Sequence, residues 1–269
     1  MSYKLNTRSL SNEICAINAM SCLLECEYTE IDTSSAGFAE YIASKRSEIS
    51  LVGDVAVIPV SGALGERLDD FDVYFGMTDY SDVREKIIAA NDDPTITAIV
   101  LDIDSPGGFV VGTEETAQVI SDSAKPVVAF TNTMAASAAY WLGVAADAFY
   151  ATPSSQVGSV GVYSLFYDWS KAFERAGITA ELFTSGSLKG MGAVGVPLTD
   201  EQREYLQNNV EELAIQFKSY VVSRRGKIDD RHMEGQTVRG RAALAAGMID
   251  RLGDFASAVQ EASDAAAIR

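Results

Sequence analysis

Two apolar segments constrain the fold of this chain more than any other feature. Residues 55–60 read Val-Ala-Val-Ile-Pro-Val, and residues 96–103 are almost continuously apolar. A strand with one face in solvent alternates apolar and polar residues, whereas a continuously apolar strand must be covered on both faces. Both segments therefore predict strands of a parallel sheet with helices packed on either side.

Strand and helix patterns alternate along most of the chain, which is typical of βαβ crossovers and predicts a layered α/β fold. The predicted helices are 78–91, 112–123, 136–146, 165–176 and 199–225, and the further predicted strands are 126–131, 148–151, 157–163 and 179–184. The last helix begins with Thr-Asp-Glu-Gln at 199–202, a capping-box pattern. Its apolar stripe predicts packing in the core or between subunits, and consists of Leu206, Val210, Leu213, Phe217 and Val221.

The sequence divides into three predicted regions. Residues 1–50 lack strand-like alternation and predict an N-terminal region of helical arms, one near 11–26 and one near 34–48. Residues 51–256 carry the α/β pattern and predict the main domain. Residues 257–269 are an Ala-rich C-terminal tail, which we expect to be either a helix or a frayed end.

Composition excludes several classes of function. The chain has 21 Lys plus Arg against 38 Asp plus Glu, a formal charge of −17. Proteins that bind nucleic acid or anionic membranes through electrostatic attraction need an excess of basic residues, so both kinds of binding are disfavoured. The single histidine, His232, excludes any site that needs a pair of histidines. An odd number of cysteines, with no secretion signal and no long apolar stretch, predicts a soluble cytoplasmic protein without membrane insertion.

Two short motifs that follow predicted strands carry groups suited to acyl transfer. Residues 104–108 read Asp-Ser-Pro-Gly-Gly, whose glycine N–H groups are not covered by side chains and can bind an anion or an oxyanion. Ser137 lies among alanines at the start of a predicted helix, where the helix N-terminus adds partial positive charge. Each motif alone is also compatible with a purely structural role: residues 104–108 as a tight turn and Ser137 as a helix N-cap.

A serine nucleophile needs a base, and the sequence offers two candidates. His232 lies in the charged run 227–234, which is typical of solvated surface. Lys189 lies in a loop among Gly, Leu and Met, where an amine can lose its water and become neutral. Lys189 is therefore the favoured base, although its position alone also suits a surface lysine.

The order of four motifs resembles the signal peptide peptidase A family of Ser-Lys peptidases. The motifs are Asp-Ser-Pro-Gly-Gly at 104–108, Ala-Ala-Ser-Ala-Ala-Tyr at 135–140, Gly-Ser-Val-Gly-Val at 158–162 and Ser-Gly-Ser-Leu-Lys at 185–189. The resemblance covers roughly 52–255 and implies a ClpP/crotonase-like layered βαβ (spiral) fold. Within the family, the segments 57–62, 74–80 and 197–199 are most similar to the capsid-assembly (prohead) proteases of tailed phages.

The resemblance implies a role for each matching residue. Ser137 corresponds to the nucleophile, Lys189 to the general base, and Ser159 to the family serine whose hydroxyl helps to orient the lysine amine. The serine and the lysine are 52 residues apart, as in the single-domain members of the family.

The oxyanion hole is implied in the same way, and two departures from the family pattern accompany it. The backbone N–H of Gly107 or Gly108, together with that of Ala138, corresponds to the oxyanion hole. Ala138-Ala139 stands where many relatives have Gly-Gly, which predicts a slightly narrower pocket for the substrate side chain. Gly-Met-Gly-Ala at 190–193 replaces a polar stretch, so the substrate preference and the position of the lysine stay open.

The resemblance implies a serine endopeptidase that needs no cofactor or metal and acts on phage capsid or scaffold proteins during head maturation. Its subunits are expected to form a homo-oligomeric ring, with no nucleic acid as a partner. Three alternatives stay open on sequence alone. They are a cellular cytosolic peptidase, a crotonase-like acyl-CoA hydratase or isomerase using carboxylates such as Glu114 and Glu115, and a non-catalytic scaffold ring.

Overall fold

The computed structural model describes residues 14–15, 35–226 and 228–268. The strands are β1 Ile14–Cys15, β2 Ser50–Val52, β3 Val55–Gly65, β4 Thr78–Asp79, β5 Ala98–Gly108, β6 Val127–Thr131, β7 Met134–Ala136, β8 Ala148–Ala151, β9 Gln156–Gly158, β10 Tyr163–Ser164, β11 Thr237–Arg239 and β12 Arg251–Leu252. The α-helices are α1 Ala36–Ser47, α2 Asp70–Tyr74, α3 Tyr80–Asp92, α4 Thr113–Ser121, α5 Ala138–Ala145, α6 Ser170–Arg175, α7 Asp200–Arg225, α8 Gly240–Ala245 and α9 Phe255–Ile268.

Strand β5 is the centre of the main sheet because it pairs with three other strands. It runs parallel to β3 along its whole length, its first half pairs with β6, and its end pairs with β7. The sheet therefore divides at β5 into one branch through β6, β8 and β12 and another through β7, β9 and β11. Within this sheet, β2 pairs antiparallel with β3 and β11 pairs antiparallel with β9, while the other pairs are parallel. The predicted layered α/β class is confirmed.

The side chains of β5 enter two different cores, which explains its continuous apolar sequence. Ile99, Leu101 and Ile103 lie in the main core, beneath the apolar faces of α3, α4 and α5. Ala98 and Val100 point to the opposite face and lie in a second core that α9 covers. Because both faces exclude water, a polar residue has no favourable place among these buried positions.

The C-terminal residues form a helix that packs on the sheet, so of the two predicted alternatives the helix is the one observed. In α9, Ala258 and Ala262 are fully buried against the second core. The Tyr150 hydroxyl donates a 2.8 Å hydrogen bond to Glu261. Burial, together with this bond and the nearby carboxylate, raises the pKa of Tyr150 to about 12, so the hydroxyl stays a donor at neutral pH.

Residues 161–201, here called the arm, contain no buried side chain. The predicted strand 179–184 is wrong, and the predicted helix 165–176 is shortened to α6. Both elements would need an apolar surface or a neighbouring strand to cover them, and the described part of the chain supplies neither to residues 165–184. The predicted strand 157–163 is also split, into β9 and β10.

The predicted N-terminal helices have different outcomes. The helix near 34–48 is confirmed as α1, whose N-cap Ser35 accepts a hydrogen bond from the Phe38 N–H. The helix near 11–26 is wrong at Ile14–Cys15, which form β1 and pair antiparallel with β10. The rest of that prediction lies outside the described residues.

Replacement of Ala262 by Glu tests the packing of α9. We expect the free energy of unfolding to fall by about 3 kcal/mol or more, because a carboxylate would enter a dry contact between the helix and the sheet. Ala267→Glu, on the exposed side of the same helix, is the control and is expected to change stability by less than about 0.5 kcal/mol. Urea unfolding measures both, and equal effects would argue against the packed helix.

Candidate active site

The end of β5 touches the turn that carries Ser137. Gly107 has a φ of 100°, a conformation that residues with a Cβ rarely adopt. A Cβ on Gly107 would lie 2.7 Å from the Ser137 Cβ and 2.9 Å from the Ala138 nitrogen. Only glycine allows this approach, so the end of β5 at residues 105–108, here called the glycine turn, lies in direct contact with the start of α5.

Ser137 is held in a strained backbone conformation between β7 and α5. Its φ is 54° and its ψ is −125°, and a residue in such a sparsely populated region costs about 1–3 kcal/mol. The surrounding backbone holds it there: its N–H donates to the Gly158 carbonyl at 2.7 Å, and its own carbonyl accepts from the Trp141 N–H at 3.0 Å. The side chain makes no N-cap hydrogen bond, so the alternative that Ser137 serves only to cap α5 is not supported.

The N–H groups of the glycine turn point in different directions. The Gly107 N–H donates to the Ser105 hydroxyl oxygen at 3.1 Å, and the Phe109 N–H donates to the Leu64 carbonyl of β3. Because successive N–H groups of a strand point to opposite edges, the Gly108 N–H is directed away from β3, toward the edge where β7 lies. Gly108 itself must be glycine, since a Cβ there would fall 1.9 Å from the Leu64 oxygen.

Ser105 is a structural part of this site that the sequence analysis did not single out. Its side chain is fully buried, and its hydroxyl donates to the Gly62 carbonyl at 2.6 Å while accepting from Gly107. Ser105 therefore fastens the glycine turn to β3. Its place inside the 104–108 motif was the available signal, but its partner lies 43 residues away in the sequence.

Helix α5 is anchored along its length by other elements. The buried Tyr140 hydroxyl donates to the Met248 carbonyl at 2.8 Å, and burial raises the pKa of Tyr140 well above its ordinary value. The Trp141 ring stacks on Phe217 of α7 at 4.5 Å. At the C-terminal end, the Arg224 guanidinium donates to the last carbonyls of α5, where a cation is favoured. These contacts fix the helix that begins at Ser137.

Ser159 lies next to the Ser137 turn but is bonded elsewhere. It follows β9, whose Gly158 pairs with Ala136 and accepts from the Ser137 N–H. Its hydroxyl donates to the Gly235 carbonyl at 3.1 Å. The geometry brings Ser159 close to the serine, and its predicted contact with the lysine stays a prediction.

Lys189 is exposed, in a turn of the arm. Its backbone N–H donates to the Gly186 carbonyl at 3.0 Å, and Gln202 of α7 holds the neighbouring Ser187 carbonyl. The structure leaves Lys189 exposed to solvent, and its predicted pairing with Ser137 stays a prediction.

The other candidate groups lie on other elements of the structure. His232 is in the short turn between α7 and β11, and its backbone N–H donates to Asp229. Glu114 and Glu115 are exposed at the start of α4. In the described ranges, no three His, Cys, Asp or Glu side chains are grouped as metal ligands, and no helix there is long and apolar enough to cross a membrane.

Comparison with known families decides the affiliation of this chain. The family described as "Peptidase family S49" matches residues 120–269, which include Ser137, Ser159 and Lys189. The chain belongs to peptidase family S49. A second family, the NfeD1b N-terminal domain, matches residues 72–166. The family-level resemblance deduced from the motifs is thereby confirmed.

Two curated relatives of this S49 chain come from phages. Capsid assembly protease C of Escherichia phage lambda is 32% identical over 222 residues, 80% of this chain and 50% of the relative. Head-tail preconnector protein GP5 of Enterobacteria phage P21 is 30% identical over 227 residues, 82% of this chain and 45% of the relative. The chain thus spans about half the length of the curated relatives that it matches.

A solved structure of an enoyl-CoA hydratase/isomerase family member has a TM-score of 0.48 and 13% identity to this S49 chain. The match covers 81% of this chain and 72% of that one. A likeness of this extent carries no information about activity.

Substitution of Gly107 by Ala tests the contact at the centre of the S49 site. We expect the free energy of unfolding to fall by about 3 kcal/mol or more, because strain at positive φ adds to a clash with Ser137. Gly53→Ala is the control: its φ is also positive, at 66°, but no atom lies within 4 Å of the added Cβ, so strain alone should cost about 1–2 kcal/mol. Equal losses in urea unfolding would show that the close approach is not a constraint.

Proposed function

We propose that this S49 chain is a serine endopeptidase in which Ser137 is the nucleophile and Lys189 the general base. The observation that carries the proposal is the strained, buried Ser137 at the N-terminus of α5, pressed against the glycine turn. A strained residue fixed by its surroundings is typical of a functional site. A turn built only to join β7 to α5 has no need of this conformation.

The proposed reaction uses backbone groups around Ser137. The Ser137 hydroxyl oxygen attacks a peptide carbonyl, and the neutral Lys189 amine takes the hydroxyl proton. The N–H groups of Gly108 and Ala138 stabilise the oxyanion, helped by the N-terminus of α5. Gly108 is preferred to Gly107 because the Gly107 N–H is already bonded to Ser105. The resulting Lys189 ammonium gives this proton to the leaving amine, and water, deprotonated by the neutral Lys189, hydrolyses the acyl-enzyme and restores the Ser137 hydroxyl.

The lysine is supplied by a neighbouring subunit in the proposed enzyme. Gln202 bonds to the turn 186–189, here called the lysine turn, and Phe217 packs on Trp141. Gln202 and Phe217 are 15 positions apart, which corresponds to about 22 Å along α7. Ser137 lies about 6 Å from Trp141 along α5. The two helices run in the same direction, since Trp141 meets Phe217 and Val144 meets Arg224, so Gln202 lies about 16 Å from Ser137 along the helix axis. This offset favours a Lys189 that acts on a second chain.

The exposed surface of the arm supports such an assembly. Large apolar side chains of the arm face solvent in the single chain, among them Trp169 at 53%, Phe183 at 88% and Val194 at 66% exposure. Exposed apolar surface of this kind is typical of a protein interface. Packing of the arm on a second copy would also remove water from the lysine amine, as a neutral base requires.

The proposed substrates are proteins of a phage head. The phage relatives are named as a capsid assembly protease and a head-tail preconnector protein, which supports capsid or scaffold proteins as substrates. The alanines on either side of Ser137 leave room for small apolar side chains at the cleavage site. The exposed positions of Glu114 and Glu115 give no support to acyl-CoA chemistry at Ser137.

Ser137→Ala is expected to abolish cleavage of candidate phage capsid or scaffold proteins, because no other nucleophile replaces the hydroxyl. Mass spectrometry of the products measures both the loss and the cleavage sites. His232→Ala is the control and should leave the products unchanged. Cleavage that persists in Ser137→Ala would sink the assignment.

Co-expression of Ser137→Ala with Lys189→Ala tests the supply of the lysine from a second subunit. Each variant alone should be inactive, whereas a mixed ring should regain about a quarter of the wild-type activity, the fraction of interfaces that unite an intact serine with an intact lysine. A double variant carrying both changes, co-expressed with either single variant, provides the control. Mixed rings without activity would show that each chain uses its own lysine.

A further inference from the structure

Gln202 is an unusual residue for its position in the fold. Between Val160 and Phe217, all of which the structure describes, it is the one buried side chain, with 7% of its surface exposed. Most buried polar side-chain atoms have at least one hydrogen-bond partner. The partners of Gln202 therefore indicate what holds this part of the molecule together.

The two ends of the Gln202 amide have separate partners. The Oε1 oxygen accepts from the Thr199 N–H at 3.1 Å, and the Thr199 hydroxyl accepts from the Gln202 N–H, which together make the capping box of α7. The Nε2 group donates instead to the Ser187 carbonyl at 2.7 Å. Ser187 is also tied to α7 through its hydroxyl, which donates to Glu201 at 2.8 Å.

The bond to Ser187 acts on the lysine turn, two residues before Lys189. The Ser187 hydroxyl adds a second bond to α7, at the exposed Glu201, whereas the bond from the Lys189 N–H to the Gly186 carbonyl is local. Gln202 is thus the buried link between the turn and a long helix that is itself fixed to the nucleophile helix through Phe217 and Trp141.

We infer that Gln202 is a positioning residue for the catalytic lysine, acting through the Ser187 carbonyl; this inference rests on the proposed function. A glutamate at 202 would serve the capping box equally well, since the box uses only an acceptor oxygen at this position. Only the amide can also donate to Ser187. Glutamine rather than glutamate is therefore required at position 202 by the bond to the lysine turn and not by the capping box.

Four variants separate the two roles. Gln202→Glu keeps the capping box and loses the donor, Gln202→Met loses both, and Thr199→Ala weakens the box while leaving the donor intact. Gln216→Glu repeats the charge change at an exposed position of the same helix. Steady-state cleavage of a peptide substrate by the assembled protein, together with hydrogen exchange of the 184–192 segment, measures the effects.

We expect kcat to fall by about tenfold to a hundredfold in both Gln202 variants, with KM changed less than about twofold, because a displaced base costs rate rather than binding. Exchange of the 184–192 segment should become faster in both. Thr199→Ala and Gln216→Glu should keep the wild-type kcat and exchange. A stability role alone would instead make Thr199→Ala and Gln202→Met alike and leave Gln202→Glu silent, which would overturn the inference.

The outcome for Lys189→Ala distinguishes a failed inference from a failed function. If Lys189→Ala is inactive and Gln202→Glu retains full kcat, the peptidase assignment stands and the positioning role is wrong. If Lys189→Ala keeps full activity, the proposed base is wrong and the positioning role falls with it, whatever the exchange data give.

Discussion

The approach of Gly107 to Ser137 is the contact on which the site depends. A Cβ on Gly107 would lie only 2.7 Å from the Ser137 Cβ. The strand end and the helix start can therefore approach this closely only because residue 107 has no side chain. The long parallel pairing of β3 with β5 carries the glycine turn to this point, and Ser105 fastens it there. The strain in Ser137 is tolerated because its N–H and carbonyl are both bonded. The sheet and the turn thus hold a conformation that neither sequence segment would adopt alone.

Helix α7 connects the two halves of the candidate site. Its C-terminal part packs on α5 and caps the carbonyls at its end, and its N-terminal part holds the lysine turn. A 26-residue helix is about 39 Å long, so the two tasks are performed at well-separated places. Between them, few side chains of α7 are buried, which leaves its middle exposed in the single chain.

Local patterns predicted much of this fold, and non-local contacts explain the errors. The continuous apolar run of β5 predicted a doubly covered strand, and four residues at 199–202 predicted a capping box, because each signal lies within one element. The α7 stripe was predicted to pack in the core or between subunits, and within the single chain only its Phe217 and Val221 are buried.

The candidate site was predictable to a similar degree. The glycine turn and Ser137 follow strands of one sheet, so the order of elements already places them at the same edge. Ser105 and Gln202 were not recognised in these roles, because their partners are distant in sequence or belong to an irregular turn. The strand expected at 179–184 is absent, and the arm around it is exposed. An apolar pattern predicts that a segment will be covered, but it does not indicate whether the same chain or a second molecule covers it.

In the proposed enzyme, an arm without buried side chains has a consequence for the control of activity. A base delivered by a neighbour makes the active site a property of the assembly, so that turnover depends on protein concentration as binding does. Newly made chains at low concentration would be inactive toward other proteins and toward each other. Proteolysis would begin where the chains are gathered at high local density, with no propeptide or inhibitor required to delay it.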